Sequence, residues 1–279
     1  VRAAHFLPDR WAILFLYRLQ LGRWPNLAAP QLFTEKLQWM KLHDRNPLYR
    51  IWVDKLAVRR WIAEHIGQRL LIPALAFFDC PVEMAEQIHN IPVQPMMIKC
   101  SHGSHCGIHI RDQIAVDMDA IMWRVMRWTW RDWYWYGREW PYKGLKPKIL
   151  CEKWIGAEDG TPPVDYKLMC FNGRARVIQI HQKKRYGHQI DFYDTGGYKL
   201  PFGLHGYANC GPAHAEIPQL ARMIEIAERI AAGTRYLRVD LYVVGGQVFF
   251  GEITMYDSSG FGRYTNGGDR ILGELLQGG

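Results

Sequence analysis

Arg238-Val-Asp240 and Glu252-Ile-Thr254 stand on either side of Gly245-Gly246, in two runs that alternate polar and apolar residues. Two carboxylates converging on one sheet face suit Mg²⁺, which takes one or two carboxylates and completes its shell with phosphate oxygens and water. Register decides whether they converge. A two-residue Gly-Gly turn would pair Asp240 with Gly251 and point Glu252 to the opposite face. A three-residue loop, Val244-Gly245-Gly246 with Gly246 left-handed, would pair Arg238 with Glu252 and Asp240 with Phe250. That second register gathers Arg238, Asp240, Glu252 and Thr254 on one face and Leu237, Val239, Leu241, Phe249 and Ile253 on the other. The apolar alternation favours it. The bland alternative is a surface ion pair between Arg238 and Glu252, worth little.

A second segment, Lys99-Cys-Ser-His-Gly-Ser-His-Cys-Gly107, places a lysine before a small polar loop. Such a loop exposes backbone N–H groups that can cradle phosphate oxygens, with the lysine charge beside them. It is not the G-x-x-x-x-G-K-[ST] loop. Cys100, His102, His105, Cys106 and His109 also allow a zinc reading, but no second ligand cluster accompanies them. Cys151 to Glu158 offers a strand edge and a bend to a purine, and acidic residues to ribose hydroxyls. Trp123 to Tyr142 holds six of the twelve tryptophans, interleaved with Arg124, Arg127, Arg131 and Arg138. Packing is the favoured reading there; a platform for sugar rings or a membrane interface is the rival.

These residues need elements to position them. The pattern predicts a helix after Pro8 over the apolar residues Trp11, Leu14, Phe15 and Leu19. Further helices are expected over 35–42, 54–66 (stopped by Gly67) and 117–135. Strands are expected over Met96–Lys99 and 147–155. One hairpin, Asp165–Phe171 with Arg174–His181, turns at Asn172-Gly173; another joins Arg235–Val243 to Gln247–Thr254. Between them, a helix over 217–232 presents Leu220, Ile224, Ala227 and Ile230. A Gly-rich loop over 256–268 and a short helix follow. Helices first, then hairpins with helices, give an α+β fold with a mainly antiparallel sheet.

The chain has 279 residues, 48% apolar and 22% charged, which excludes a disordered or collagen-like chain and is enough for a full core. The apolar stretch Trp11–Tyr17 is far too short to span a bilayer, so a soluble, cytoplasmic protein is expected. Six cysteines without a C-x-x-C or framework spacing read as reduced thiols. The net charge of +8 suits an anionic partner.

Taken together, these segments resemble the TupA-like ATP-grasp family. The resemblance rests on Phe33-Thr-Glu-Lys-Leu-Gln-Trp-Met-Lys-Leu42, Asp54-Lys55-Leu-Ala-Val58, Leu71-Ile-Pro73, Ile98-Lys99-Cys-Ser-His-Gly-Ser104, Arg138-Glu-Trp140, Asp165-Tyr-Lys167, Cys170-Phe-Asn-Gly173 and Gly251-Glu-Ile-Thr254. The D-alanine–D-alanine ligases are a more distant likeness, through Lys55, Lys99, Glu152-Lys153-Trp154 and the Arg238, Asp240, Glu252, Thr254 set. The resemblance implies an ATP-grasp fold with the nucleotide held between two α+β subdomains, after a mostly helical N-terminal region. Its expected boundaries are 1–92, 93–150 and 151–279. It implies ATP on Lys55, Lys99, Ser101, His102, Gly103, Ser104, Glu152, Lys153, Trp154, Ile155 and Glu158, with Mg²⁺ on Asp240, Glu252 and Thr254. Arg238, Lys167 and Arg185 are the implied catalytic residues.

The implied reaction is carboxylate–amine ligation through an acylphosphate, with a uronic-acid carboxylate of a bacterial surface polysaccharide and an amino acid or other amine as substrates. An acidic glycan or other carboxylate acceptor and an amine donor are thus the expected partners. No nucleic acid and no transmembrane segment are expected, and peripheral association with a glycan-assembly complex is compatible with this. A kinase on the same fold and a non-catalytic polyanion-binding protein are the alternatives.

Overall fold

The computed structural model describes residues 6–103, 106–113, 116–184 and 187–276. By its contacts the chain forms two units: one of residues 1–46, 137–139 and 163–279, the other of 47–136 and 140–162. The expected boundaries at 92 and 150 therefore fall inside the second unit.

The second unit begins with α3 (Tyr49–Trp52) and α4 (Lys55–Ile62). Asp54 caps α4, accepting from the Leu56 and Ala57 N–H groups at 2.8 and 3.4 Å. The expected helix over 54–66 continues past Ile62 only as a wider turn, Ala63–Gly67. Four strands follow: β1 (Ala74–Phe78), β2 (Met96–Cys100), β3 (Gly107–Ile110) and β4 (Ile149–Lys153). They form an antiparallel sheet in the order β1-β4-β2-β3. Met96, Ile98 and Cys100 alternate into a core with Ile108, Ile149 and Cys151. Helices α5 (Pro81–Gln87) and α6 (Met118–Thr129) close that core through Met84, Ile121 and Val125. The helix expected over 117–135 breaks after Thr129, because Asp132 accepts from the Tyr134 N–H at 3.0 Å and starts α7 (Tyr134–Gly137). Trp128 is buried, whereas Trp123 and Trp130 are exposed.

The first unit opens with α1 (Asp9–Leu21) and α2 (Phe33–His43). α1 buries Ala12, Ile13 and Tyr17, not the face of Trp11, Phe15 and Leu19. Tyr17 decides this orientation: its hydroxyl bonds Thr34 at 2.8 Å on α2, which an outward-facing tyrosine could not do. The start of α2 is held by Glu35, whose carboxylate accepts from the N–H groups of Leu32, Gln31 and Asn26.

The five-stranded antiparallel sheet of this unit runs β7-β6-β5-β8-β9, from β5 (Asp165–Phe171), β6 (Arg174–Lys184), β7 (Gly187–Asp194), β8 (Tyr236–Val244) and β9 (Gln247–Thr254). One face carries Leu168, Ile178, Leu237, Val239 and Ile253, covered by α8 (Leu220–Ala231). The buried residues of α8 are Met223, Ile226, Ala227, Ile230 and Ala231; of the expected stripe Ala227 and Ile230 are buried, while Leu220 and Ile224 are half-buried. The opposite face is aromatic at one end, where α2 brings Phe33 against Phe171, Tyr236 and Tyr264. Beside α2 lies α9 (Gly268–Leu275), whose Asp269 accepts from Thr34 N and Oγ1 at 2.9 and 2.8 Å.

The β8–β9 register corrects the expected one in both its turn and its pairs, since Arg238 does not pair with Glu252 nor Asp240 with Phe250. The turn is the two-residue Gly245-Gly246, both at positive φ (57° and 76°), not a three-residue loop. A bulge at Gly251 then shifts the pairing by one. Asp240 faces Glu252 and Arg238 faces Thr254, so the polar residues share a face. Phe249 pairs with Tyr242 on that same face, against expectation, while Phe250 takes the apolar side with Leu241. Glycine fits the bulge because a Cβ there would lie 3.0 Å from both the Asp240 carbonyl oxygen and the Tyr242 ring. Gly251→Ala is therefore expected to cost about 1–3 kcal/mol by overpacking, read as a lower urea midpoint with an unchanged slope.

Candidate functional site

In the second unit the sheet face opposite the core carries Met97, Lys99, His109 and Glu152. Lys99 donates to Glu152 at 2.6 Å, and Arg59 of α4 donates to the other oxygen of the same carboxylate. Glu152 thus sits buried between two cations, with its oxygens engaged by protein groups. Trp154 stacks on His109 at 3.6 Å, and its indole N–H donates to the Ala157 carbonyl. Lys153 is exposed, Ile155 is half-buried, and the Glu158 carbonyl accepts from Arg111.

The loop after Lys99 is anchored at its start. Ser101 gives its N–H to Lys148 O at 2.7 Å, and its hydroxyl accepts from Lys148 N at 2.9 Å. Its carbonyl accepts from Lys55 N. Ser101 is therefore a strut of the loop. Lys55 Nζ reaches over the loop to Gly103 O at 2.7 Å. His102 is buried with Nε2 on the Arg131 carbonyl, and burial pushes its pKa down. Neutral, it donates from Nε2 and leaves Nδ1 as an acceptor with no partner among the described residues. Gly103, at φ 72°, lies against the Trp133 indole, where any Cβ would overlap the ring. Ser104 lies outside the described residues. Burial raises the Cys100 thiol to about 12, so it is protonated at neutral pH.

In the first unit the polar end of the five-stranded sheet is a charge network. Arg238 donates from Nε and Nη2 to the two oxygens of Asp240, at 2.7 and 2.9 Å. Nη2 also reaches Thr254 Oγ1 at 3.1 Å and lies 3.5 Å from Glu252 Oε1. Nη1 donates to Asp257. Lys167 bridges Asp240 and, at 2.6 Å, Asp165. Asp257 further accepts from Gln179 at 2.9 Å and Tyr264 at 3.0 Å, and His181 donates to Gln179 at 3.0 Å. The structure thus brings Lys167, Arg238, Asp240, Glu252 and Thr254 together. Arg185 lies outside the described residues. A cavity of about 450 Å³ at the turn end of this unit, lined by Trp39, Asn172 and Arg235, touches none of them.

Four carboxylates (Asp165, Asp240, Glu252, Asp257) face two cations (Lys167, Arg238), a net of two negative charges. The titration behaviour follows. Although burial pushes Asp240 up, Arg238 and Lys167 outweigh it and hold this carboxyl well below the usual range. The excess falls on Asp165, which burial, with the Asp240 charge adding to it, raises to about 6. The net negative charge is what this face would offer a divalent cation, since both Asp240 oxygens already accept from Arg238 and Lys167. No cluster of three or more His, Cys, Asp or Glu side chains able to hold a metal exists among the described residues. Asp240 and Glu252 would thus share Mg²⁺ with ligand oxygens rather than cage it.

Sequence reasoning missed Arg59, Asp165, Gln179, His181 and Asp257. Arg59 follows Lys55 by one helical turn, and Asp165 precedes Lys167 by one strand period, so both carried a signal. Asp257 is placed by the turn Asp257–Gly260, in which Ser258 and Ser259 hold φ near 50°. That turn is clamped from α2. Lys41 Nζ donates to Ser259 O at 2.7 Å and Gly137 O at 2.6 Å, and Gln38 to Gly260 O at 2.8 Å. Burial lowers Lys41 to about 8.

The family profile described as TupA-like ATPgrasp matches residues 35–277. No match was found among functionally curated proteins. Among solved structures, the D-cycloserine synthetase DcsG is 15% identical, over 82% of this chain and 71% of its own, with a TM-score of 0.46. D-alanine–D-alanine ligase from Bacillus anthracis is 14% identical, over 81% and 66%, at 0.46. L-amino acid ligase from Bacillus licheniformis is 15% identical, over 90% and 56%, at 0.47. The chain spans 56–71% of the length of these three.

Burial, with Lys167 and Arg238 adding to it, lowers His181 to about 2. Its folded pKa lies below the unfolded value of about 6.5. Its contribution to stability is therefore complete above pH 6.5 and lost as pH falls below it. Asp165, raised, works in the opposite sense between pH 4 and 6. In His181→Gln the slope of unfolding free energy against pH, from urea titrations between pH 6.5 and 4.5, should fall by about 1.4 kcal/mol per pH unit.

Proposed function

The chain belongs to the TupA-like ATP-grasp family, and we propose that it is an ATP-dependent carboxylate–amine ligase that joins an amino acid or other amine to a uronic-acid carboxylate of a bacterial surface polysaccharide, in the cytoplasm. The observation that supports this most is the buried sheet face carrying net negative charge around a fixed guanidinium. A ligase needs both features: a place for Mg²⁺ with phosphate, and a fixed positive group where charge develops on oxygen.

The roles are assigned from the family resemblance and from side-chain chemistry. Lys55, Lys99 and the loop through Gly103 and Ser104 hold the ATP phosphates, with Ser101 as the strut and His102 lining the loop. Lys153, Trp154, Ile155 and Glu158 receive the base and ribose, and Glu152 holds Lys99 in place. Asp240 and Glu252 would hold Mg²⁺, with Thr254 as a neutral oxygen donor, and the ion would neutralise phosphate charge. An acceptor carboxylate oxygen attacks the γ-phosphorus and ADP leaves. The amine nitrogen then attacks the acyl carbon, phosphate leaves, and the amine releases a proton. Arg238 and Lys167 stabilise the negative charge that gathers on the acyl and phosphoryl oxygens, and Arg185 holds the acceptor carboxylate. The net charge of +8 accords with an acidic acceptor.

Uronic acids incubated with pooled amino acids, ATP and Mg²⁺ should yield ADP and free phosphate together. Added hydroxylamine should trap a hydroxamate. Glu252→Gln should abolish turnover and leave the melting temperature within a few degrees. Phosphate that stays on the acceptor, indifferent to hydroxylamine, would replace the ligase with a kinase. Wild-type protein that millimolar Mg-nucleotide does not stabilise thermally would leave polyanion binding as the better reading.

A further inference from the structure

We propose that α1 seats the protein on an anionic lipid bilayer surface. The helix already buries one face through Ala12, Ile13 and Tyr17. Its other face presents Trp11, Phe15 and Leu19 at four-residue spacing, 54%, 53% and 78% exposed. Trp24, 56% exposed, packs edge-on against Phe15 at 5.7 Å and extends the patch beyond the helix end. Single exposed apolar residues are ordinary, but four large ones side by side mark a contact surface.

The net charge around this patch is positive. Arg10 and Arg18 are exposed on the same helix, Arg23 follows it, and Arg263 bonds the Gln20 carbonyl near its end. The adjacent acids are matched: Asp269 takes Arg23 at 2.6 Å, and Asp9 takes Arg138 at 2.9 Å. An excess of arginine therefore flanks the stripe. Tryptophan, phenylalanine and leucine side chains on one face of a helix enter the boundary between headgroups and acyl chains, and guanidinium groups beside them meet lipid phosphates. A second copy of the same face would bring like charges together, which disfavours self-association. No helix among the described residues is long and apolar enough to cross a membrane, so the contact is peripheral. The inference uses no residue of the ligase site.

The test is co-sedimentation of the full chain with extruded phosphatidylcholine vesicles, with and without phosphatidylglycerol. The protein should pellet with the phosphatidylglycerol vesicles and release as salt rises. The triple change Trp11→Ser, Phe15→Ser, Leu19→Ser should lower the bound-to-free ratio at least about tenfold. The pair Arg10→Glu, Arg18→Glu should do the same on anionic vesicles and leaves the apolar stripe in place. Melting curves confirm that each variant folds. Wild type that stays in the supernatant, or equal binding by the triple variant, overturns the proposal. Equal pelleting with phosphatidylcholine alone overturns the anionic choice. A wild-type dimer that the triple change turns into a monomer would assign the stripe to a second copy of the chain.

Discussion

Arg238 carries a permanent charge onto a nearly closed sheet face, and its neighbours are arranged around holding it there. Its fork is divided among Asp240, Asp257 and Thr254. Removing one partner of such a buried network leaves an unpaired charge and costs about 3–5 kcal/mol, while replacing the whole set by well-packed apolar groups is often neutral or stabilising. Stability alone therefore does not account for the network. The same guanidinium fixes Asp240 as an ionised carboxylate and links it to the turn that follows β9 through Asp257. Lys167 then joins Asp165 to the set. In the second unit Glu152 has the inverse role, one carboxylate steadying two cations, Arg59 and Lys99.

Much of this was legible because it is local. Turn chemistry named both hairpins, and alternation named the residues of the polar face. What escaped is the pair of bulges. After Asn172-Gly173 a plain register would set Ile178 opposite Lys167; the structure sets Gln179 there, because an irregularity between Met169 and Cys170 shifts the pairing by one. After Gly245-Gly246 the bulge at Gly251 does the same for Glu252. In both hairpins the turn has two residues, where three are expected at Gly245-Gly246, and a one-residue offset beyond it chooses the face. Gln179 and His181 could not be placed without the first offset. The face of α1 was equally undecidable from pattern, since both of its sides are apolar; a hydroxyl contact to Thr34 settles it.

The two sheet faces differ in the sign of their charge. The face with Lys99, Lys55 and Arg59 is rich in cations and suits phosphate. The face with Asp240 and Glu252 carries net negative charge and suits a cation that arrives with that phosphate. Ser101, spent on anchoring the loop, and Glu152, spent on holding lysine and arginine, are scaffolding of the cationic face.

The clamp on the Asp257–Gly260 turn bears on the order in which the molecule can assemble. Lys41 and Gln38 of α2 grip residues 218 to 222 positions later in the chain, and Thr34 meets Asp269 across 235. Between them the ribosome makes the whole of the second unit, which has its own core and can condense meanwhile. α2 emerges early and waits, with Phe33, Leu37 and Met40 lacking their partners from the later part of the chain. Long-range closure of this kind slows folding and leaves apolar surface open to aggregation. The Arg238 network is thus among the last parts of the protein to form.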